Sequence, residues 1–162
     1  MRSNAFRKAS TKSFIERFRM KLLVLNGPNL NMLGIREPAL YGNRGYADLV
    51  EFIGATARDI GVEVEVFQSN HEGVLVDRIQ EARGNFDGLV INAAAYTHTS
   101  VAILDALKAV GLPTVEVHLT DPETREPFRH VSYVKPASLA TFAGFGFDSY
   151  ARAIRYLAEL QS

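Results

Sequence analysis

The chain has 162 residues, 47% of them apolar and 22% charged, which is ordinary for one globular domain large enough to bury a core. Its formal net charge is zero, so the composition gives no reason to expect nucleic acid or a membrane surface as a partner. The absence of cysteine excludes disulfides, a thiol nucleophile and cysteine-ligated metal or iron–sulfur sites.

The first nineteen residues differ from the rest because they carry six basic side chains against a single acid, Glu16. This acid-poor, serine-containing profile is typical of an organellar transit peptide. A flexible or loosely helical basic tail, or a true start at Met20, also explains it and is the interpretation that we favour. We predict a basic extension over residues 1–19, a single domain over residues 20–162 and a cytoplasmic location, with organellar targeting as the alternative.

Short apolar or alternating runs predict five strands. They lie at 21–26, 62–67, 87–92, 113–119 and 138–145, and the last of these has the weakest pattern. The second run alternates with a period of two, which indicates a strand near the edge of a sheet. Residues 120–136, a polar stretch with three prolines, are predicted as a loop.

Apolar residues at helical spacing predict helices between these strands. The helices run over about 46–60, 75–82, 100–110 and 150–158. Glycines follow the first three helices and are expected to end them: Gly61, Gly84 and Gly111. Polar residues are expected to cap the second and third helices, Ser69 or Asn70 for the one and Thr97 or Thr99 for the other.

Strands that alternate with helices predict the α/β class, with a parallel sheet covered by helices on both faces. A small version with five strands is the flavodoxin-like, doubly wound arrangement of order 2-1-3-4-5. In such sheets a ligand lies beyond the carboxyl ends of the strands. The segments that follow strands 1, 3 and 4 are therefore the candidate site.

The segment after strand 1 reads NGPNLN and continues into GIREPALYG. Asparagine, glycine and proline are ordinary turn residues, and we interpret Asn26 and Asn31 in this way, whereas Asn29 is equally compatible with a functional role. The loop is longer than most α/β connections, and long loops often bind ligands. It carries Arg36 and Tyr41, five positions apart.

The segment after strand 3 reads NAAAYTHTS, in which small residues allow a ligand to approach the backbone. Asn92 ends the strand, and His98 is predicted at the start of the next helix. Asp105 lies seven positions further on, close to the same helical face, in an otherwise apolar run. Taken singly, His98 and Asp105 are more often structural than functional residues.

Strand 4 carries Glu116 and His118, whose alternation places both side chains on one face at its carboxyl end. A carboxylate beside a histidine fixes its tautomer and raises its basicity, as a general acid or base requires. An alternating strand with a polar face is the structural alternative. The loop that follows brings Arg125, Arg129 and His130, and arginine suits recognition of an anionic substrate.

Six motifs in one order carry a specific resemblance: NGPNLN, GIREPALYG, QSNHEG, INAAAYTHTS, EVHLT and REPFRHVSY. Together they closely resemble the type II 3-dehydroquinate dehydratase family, over residues 21 to about 158. The resemblance implies a flavodoxin-like fold, a homododecamer built as a tetramer of trimers, and no metal or organic cofactor. It also implies the conversion of 3-dehydroquinate to 3-dehydroshikimate in the shikimate or quinate pathway.

The family reaction is an anti elimination through an enolate, and the resemblance implies a role for individual residues. Tyr41 would be the base that takes the proton from C2. Arg36 would lower the pKa of this tyrosine, ordinarily near ~10, and close over the substrate. Asn29 would help to stabilise the enolate. His118 would protonate the leaving C1 hydroxyl, with Glu116 orienting it.

The resemblance further implies which residues bind the substrate. Side chains of four residues match binding positions: Asn92, His98, Asp105 and Arg129. Arg129 suits the substrate carboxylate, which the backbone amides of Leu119 and Thr120 would also contact.

Two segments depart from the common family pattern. INAAAYTHTS stands where INPGAYTHTS is frequent, a change expected to alter loop stiffness without removing a side chain that has a role. HLTDPETREPFR stands where many members read HLSNVHAREPFR; Thr120 keeps the hydroxyl of the usual serine. The DPET segment therefore bears on loop position or oligomer contacts more than on chemistry.

Three alternatives compete with this interpretation. A non-catalytic flavodoxin-like domain for a flavin or nucleotide would need a phosphate-binding loop after strand 1, where this chain has Asn, Pro, Arg and Tyr. The type I enzyme uses a lysine Schiff base, but the lysines beyond the extension, Lys21, Lys108 and Lys135, occupy no motif position. An inactive relative of the enzyme would not need to keep all the proposed catalytic side chains.

Overall fold

The computed structural model describes residues 19–35, 39 and 43–161 of the chain. Strands and helices alternate along them: β1 (Lys21–Asn26), α1 (Tyr46–Ile60), β2 (Glu63–Gln68), α2 (Glu72–Ala82), β3 (Gly88–Asn92), α3 (Val101–Val110), β4 (Thr114–His118), β5 (Ala140–Ala143) and α4 (Asp148–Glu159). Arg36, Tyr41 and most of the basic extension lie outside the described residues.

The strands pair in parallel, in the order β2-β1-β3-β4-β5, as the alternation of elements predicts. β2 lies at an edge, also as predicted. The chain winds to one side of β1 first and then to the other, so the carboxyl ends of β1 and β3 are neighbours where the direction changes. A crevice forms at such a point because the two following connections diverge from it.

Alternate side chains of β1 pack on opposite faces of the sheet. Leu22 and Val24 contribute to a core with α1 and α4, whereas Leu23 and Leu25 contribute to a core with α2 and α3. Full burial of one such leucine stabilises the fold by about 1.5–3 kcal/mol. Helices therefore cover both faces, as predicted for the doubly wound arrangement. The inner strands β3 and β4 are buried along their whole length.

The helix ends agree with the sequence prediction where glycine decides them. α1 ends at Ile60, and Gly61 follows with φ 88°, a left-handed conformation in which its N–H donates to the carbonyl oxygen of Ala57. Because glycine has no Cβ, it adopts this conformation without strain.

The predicted caps of α2 and α3 are wrong. The N-cap of α3 is Ser100, whose Oγ accepts a hydrogen bond from the N–H of Ile103 at 3.0 Å. Thr97 instead belongs to a 3-10 turn over Ala94–His98, which precedes the helix. The N-cap of α2 is His71, which makes no side-chain cap bond; Ser69 Oγ accepts from its backbone N–H.

The proline-containing segment after β4 is a loop, as predicted, but it contains three 3-10 turns. These are Pro122–Thr124, Pro127–Arg129 and Lys135–Ala137, and each has proline at its first or second position. Proline is favoured there because its φ is fixed near the helical value and it needs no N–H partner. No helix in the described part of the chain is both long and apolar enough to span a bilayer.

Candidate active site

A cleft opens at the carboxyl ends of β1, β3 and β4, where the topology predicts a ligand. It brings together seven of the predicted site residues: Asn29, Asn92, His98, His118, Leu119, Thr120 and Arg129. Arg125 lines the same cleft, although the sequence places it in this loop without a specific role. The carboxyl edge of the sheet therefore unites residues that are up to a hundred positions apart in the chain.

Glu116 and His118 form a hydrogen bond with each other, as their spacing in β4 predicts. His118 Nε2 lies 2.7 Å from Glu116 Oε1, and only 1% of Glu116 is exposed. An ionised carboxylate can only accept a hydrogen bond, so Nε2 carries the hydrogen and donates the hydrogen bond to Oε1. Nδ1 is then the nitrogen that gives or takes a proton when His118 acts on a ligand.

The carboxyl of Glu116 stays ionised in this buried position. Burial by itself would favour the protonated form, but hydrogen bonds from His118, Ser132 and Thr141, with the charge of His118, outweigh it. The pKa of Glu116 therefore lies below its usual value. A buried carboxylate needs such partners, since an uncompensated charge in the sheet would be strongly destabilising.

His98 also has a defined tautomer. Its Nδ1 lies 2.7 Å from the backbone carbonyl oxygen of Val131, which can only accept, so Nδ1 is the donor. Nε2 is therefore the nitrogen left for a ligand in the cleft. His98 ends the 3-10 turn after β3 rather than starting α3.

Arg129 ends the 3-10 turn Pro127–Arg129. One edge of its guanidinium is hydrogen-bonded to Glu126, and the Nη edge is available to a ligand in the cleft. Its Nε donates to Glu126 Oε2 at 2.8 Å, and its guanidinium lies 5.1 Å from the centre of the Phe128 ring. The bond to Glu126 fixes the plane of the guanidinium, while the Nη groups can meet a carboxylate in the cleft.

The turn after β1 is held by side chains of β2 and of the segment behind it. Asn29 has φ 68°, in the left-handed region that asparagine tolerates better than most residues. Its backbone N–H donates to Asn70 Oδ1 at 3.0 Å, and Gln68 Nε2 donates to both Asn70 Oδ1 and the carbonyl oxygen of Gly27. These bonds fix the position of Asn29 at the cleft.

Gly27 permits the close approach of the turns after β1 and β3. Its N–H donates to the carbonyl oxygen of Asn92 at 2.8 Å, and a Cβ at this position would lie 2.3 Å from the carbonyl oxygen of Ala93. No side chain fits at that distance, so only glycine allows Asn29 and Asn92 to share one cleft.

A buried polar network underlies the cleft and was not predicted. Asn92 Nδ2 donates to the hydroxyl of Tyr150 at 2.9 Å, and that hydroxyl donates to Asn26 Oδ1 at 2.7 Å. Burial raises the pKa of Tyr150 far above its usual value despite the bond from Asn92, so the phenol remains neutral and can donate. Asn26 is thus a buried network residue, and its interpretation as a turn residue is wrong.

The network fixes the orientation of Asn92. Its Oδ1 accepts from the backbone N–H of Ala94 at 3.1 Å, and one of its two Nδ2 hydrogens is used by Tyr150. One N–H therefore remains for a substrate hydroxyl.

Tyr150→Phe should destabilise the protein by about 1–3 kcal/mol, because Asn26 Oδ1 and one Asn92 N–H would be left buried without a partner. Chemical denaturation of the variant and the wild type measures the difference. Tyr46→Phe is the matched control, since the hydroxyl of Tyr46 is half-buried and accepts from Asn26 Nδ2 over a longer 3.4 Å. Equal losses in the two variants would contradict a special role for the Tyr150 hydroxyl.

Ala94 stands where the frequent family pattern INPGAYTHTS has glycine, and this replacement strains the backbone. Its φ is 51°, in the left-handed region, where the frequent family residue is glycine. A residue with a Cβ is strained there by about 1–2 kcal/mol. The alanine therefore adds strain to the backbone that lines the cleft.

Ala94→Gly should stabilise the protein by up to about 1 kcal/mol, because the relief of strain exceeds the extra entropy that glycine gains in the unfolded chain. Thermal and denaturant unfolding measure the change. Ala95→Gly, one position on and without a positive φ, should be neutral or destabilising. A loss of stability in Ala94→Gly would show that the left-handed conformation is not costly at this position.

Asp105 lies apart from the cleft. It occupies an exposed position on α3 and does not line the cleft in this chain, whereas His98 does. The helical spacing used to relate Asp105 to His98 does not apply, because α3 starts only at Val101 and His98 belongs to the preceding 3-10 turn. The role of Asp105 in substrate binding stays a prediction.

Sequence reasoning missed the residues that support the site from behind. Ser132, Thr141, Asn70 and Tyr150 bond to Glu116, Asn29 or Asn92, although they are distant from them in the chain. The only signal was the presence of Ser132 and Asn70 within the motifs REPFRHVSY and QSNHEG.

Comparison with known proteins agrees with this geometry. The model of the family "Dehydroquinase class II" matches residues 20–158. A 3-dehydroquinate dehydratase of Geotalea daltonii is 55% identical over 136 residues, covering 84% of this chain and 94% of the relative. A catabolic 3-dehydroquinase of Aspergillus clavatus is 51% identical over 137 residues, covering 85% and 91%.

A solved structure is also similar in sequence and in fold. The crystal structure of the type II dehydroquinase from Butyrivibrio crossotus superposes with a TM-score of 0.84 at 49% identity, covering 86% of this chain and 97% of that one. The residues matched by the family model, 20–158, include every segment that lines the cleft. The chain belongs to the class II dehydroquinase family.

Proposed function

We propose that this chain dehydrates 3-dehydroquinate to 3-dehydroshikimate by the type II mechanism. The observation that carries the proposal is the buried, hydrogen-bonded pair of Glu116 and His118, whose histidine lines a cleft with Asn29, Asn92, His98 and Arg129. Such a pair is a prepared proton donor. The names of the relatives, 3-dehydroquinate dehydratase and catabolic 3-dehydroquinase, support the same reaction.

The elimination needs one base and one acid on opposite sides of the bond to be formed. Tyr41, as its phenolate beside Arg36, takes the proton from C2, and the electrons of the C–H bond form an enolate with the C3 ketone. Asn29 helps to stabilise the enolate oxygen. As the ketone re-forms, the C1 hydroxyl leaves as water with the proton from Nδ1 of His118, and C1 and C2 become doubly bonded.

Substrate binding falls to the remaining residues of the cleft. Arg129 and the backbone amides of Leu119 and Thr120 bind the carboxylate, because a guanidinium and N–H groups suit a planar anion. The amide nitrogen of Asn92 and the Nε2 ring nitrogen of His98 bind hydroxyls of the substrate. Asp105 is proposed to bind a further hydroxyl.

Incubation of the purified protein with 3-dehydroquinate tests the proposal. We expect the conjugated enone absorbance of 3-dehydroshikimate to appear without added metal. Borohydride in the presence of substrate should not inactivate the protein, since no lysine Schiff base forms. No turnover in this assay would refute the assignment, and borohydride inactivation would refute the type II mechanism.

A flavodoxin-like binding domain for a flavin or nucleotide is the alternative from another class. In the described residues after β1, the chain enters a 3-10 turn at Leu30–Met32, and the N-cap residue Asn29 makes no side-chain cap bond. This turn lacks the glycine-rich entry into a longer helix that usually binds phosphate. A yellow chromophore in the purified protein would favour the alternative.

A homododecamer, built as a tetramer of trimers, is the assembly that we propose. Large apolar side chains are exposed beside the cleft and on α3, which is compatible with contacts between copies: Val101, Phe128 and Val131. Sedimentation should give a species of twelve times the 17.9 kDa chain mass. A stable monomer with full activity would contradict the proposed assembly.

We propose that the protein acts in the cytoplasm, with organellar import through the basic residues 1–19 as the alternative. A fluorescent fusion of the full chain, compared with one that starts at Met20, separates the two. An organellar signal that disappears in the shorter fusion would overturn the cytoplasmic location. The same chemistry serves the shikimate and the quinate pathway, and growth on quinate of a strain that lacks the gene distinguishes them.

A further inference from the structure

Glu116 has two more hydrogen-bond donors besides His118. Ser132 Oγ lies 2.7 Å from Glu116 Oε1, and Thr141 Oγ1 lies 3.1 Å from Oε2. Ser132 lies between the 3-10 turns Pro127–Arg129 and Lys135–Ala137, and Thr141 lies on the edge strand β5, opposite Glu116 in the pairing with β4. Both carboxylate oxygens are therefore held by hydroxyls from different segments.

The direction of the bond from Ser132 is fixed by its other partners. Its Oγ accepts from the backbone N–H of Val134 at 3.2 Å and from that of Lys135 at 3.0 Å. A hydroxyl has two acceptor positions and one hydrogen, so the hydrogen is left for Glu116. Ser132 is consequently a donor to Oε1 and cannot accept a hydrogen bond from a protonated Glu116.

We propose that Ser132 and Thr141 are positioning residues for the dehydration, which keep Glu116 ionised and in the orientation that holds Nε2 of His118. The inference rests on the proposed role of His118 as the acid. It extends that role to two hydroxyls that do not line the substrate cleft. They line a second cavity, together with Glu116 and His118 themselves.

Two effects follow from the loss of either hydroxyl. Protonation of Glu116 becomes easier, because a hydrogen bond to the charged form lowers a carboxyl pKa. Once protonated, Glu116 no longer holds His118 in the orientation that presents Nδ1 to the leaving hydroxyl. The activity should therefore be lost at a higher pH as the solution is acidified.

Other charged groups near Glu116 remain in place in these variants. Besides His118, the titratable and charged residues that line the second cavity are His98, Asp121, Glu123, Arg129, His130 and Lys135. Because they are common to the wild type and the variants, a shift between the pH profiles reports on the donor removed.

The experiment compares Ser132→Ala and Thr141→Val with wild type across a pH series of steady-state kinetics. We expect Ser132→Ala to lower kcat at neutral pH by about tenfold, with little change in KM. The acid limb of its kcat profile should move by about one pH unit toward neutrality. Thr141→Val should show the same changes to a smaller extent, because its bond is longer and Thr141 is exposed.

Ser138→Ala is the matched control, since Ser138 Oγ lies in the same loop but donates to the carbonyl oxygen of Val134. It should keep the wild-type kcat and pH profile, and Ser132→Thr, which retains the hydroxyl, should recover most of the kcat lost in Ser132→Ala. An unshifted acid limb in both Ser132→Ala and Thr141→Val would overturn the proposal.

A double-mutant cycle with Glu116→Gln separates positioning from support of the loop. If Ser132 acts through the carboxylate, Ser132→Ala should cost little further kcat when Glu116 is already replaced. Fully additive losses would overturn the proposal. If Ser132→Ala fails to fold, Thr141→Val carries the test, and its unchanged acid limb overturns the proposal. Absence of turnover in the wild type would instead refute the proposed function.

Discussion

His118→Gln should lower kcat by about 10²–10⁴-fold, because the elimination would lose the acid that protonates the leaving hydroxyl. Glutamine keeps a donor that can bond to Glu116 Oε1, so the buried carboxylate retains a partner and the fold should persist. KM should change little, since the proton transfer takes place in the transition state. Steady-state turnover and thermal unfolding measure the two expectations.

Exchange of the C2 hydrogen distinguishes the acid from the base. In D2O the His118→Gln variant should still exchange the C2 proton of bound 3-dehydroquinate, because the base and the enolate site are intact. His71→Gln is the matched control: this exposed histidine precedes α2 and does not line the cleft. A His118→Gln variant with near wild-type kcat would refute His118 as the acid.

Tyr41→Phe should lower kcat by a similar factor of about 10²–10⁴, and it should also abolish C2 exchange, because it removes the proposed base. The two variants thus fail at different steps of one reaction. Tyr156→Phe is the control; this tyrosine lies on α4, where its ring packs against Phe142 at 6.1 Å between centres. C2 exchange at the wild-type rate in Tyr41→Phe would show that another group is the base.

Arg36→Ala tests the cation proposed to activate Tyr41. Without a nearby positive charge the pKa of a tyrosine rises toward its ordinary value near ~10. The rate of Arg36→Ala should therefore be low at neutral pH and rise with pH to a greater extent than in the wild type. Arg36→Lys, which keeps the charge, should fall between the two. A loss of rate that is the same at every pH would contradict the proposed activation.

The strands followed from the sequence because burial determines their apolar patterns, and their order followed from the alternation of strands and helices. β1 and β3 are short, continuous apolar runs between turn residues, a pattern typical of a strand covered on both faces. β5 is shorter than predicted, four residues instead of eight, since its edge position leaves it half-exposed and weakly patterned. Helix caps were less predictable because several hydroxyl residues compete near each start, and tertiary contacts select among them.

The proton-donating pair was also predictable, for a local reason. Residues two apart in a strand share a face, so the contact between Glu116 and His118 depends on β4 alone. Contacts between segments were not predictable in this way. The bond from Asn92 to Tyr150 joins residues 58 positions apart, and that from Tyr150 to Asn26 joins residues 124 apart.

The environments of Asp105 and Ala94 also could not be predicted from the sequence. Helical spacing related Asp105 to His98, but a 3-10 turn between β3 and α3 places His98 in the cleft and leaves Asp105 exposed on the helix. The strain at Ala94 follows from a positive φ, which nothing in the residue itself requires. Both depend on the path that the chain takes to join the sheet.

By itself the sequence determined the α/β class, the strand order, the family and the pairing of Glu116 with His118, because each depends on periodicity, motif order or neighbours in one strand. The tertiary structure alone decided which side chains stand behind the site. Ser132 and Thr141 reach Glu116, and Tyr150 joins Asn26 to Asn92, only when the sheet brings separate segments to one edge. A buried polar atom takes whichever partner the packed chain supplies, and sequence distance carries no information about that choice.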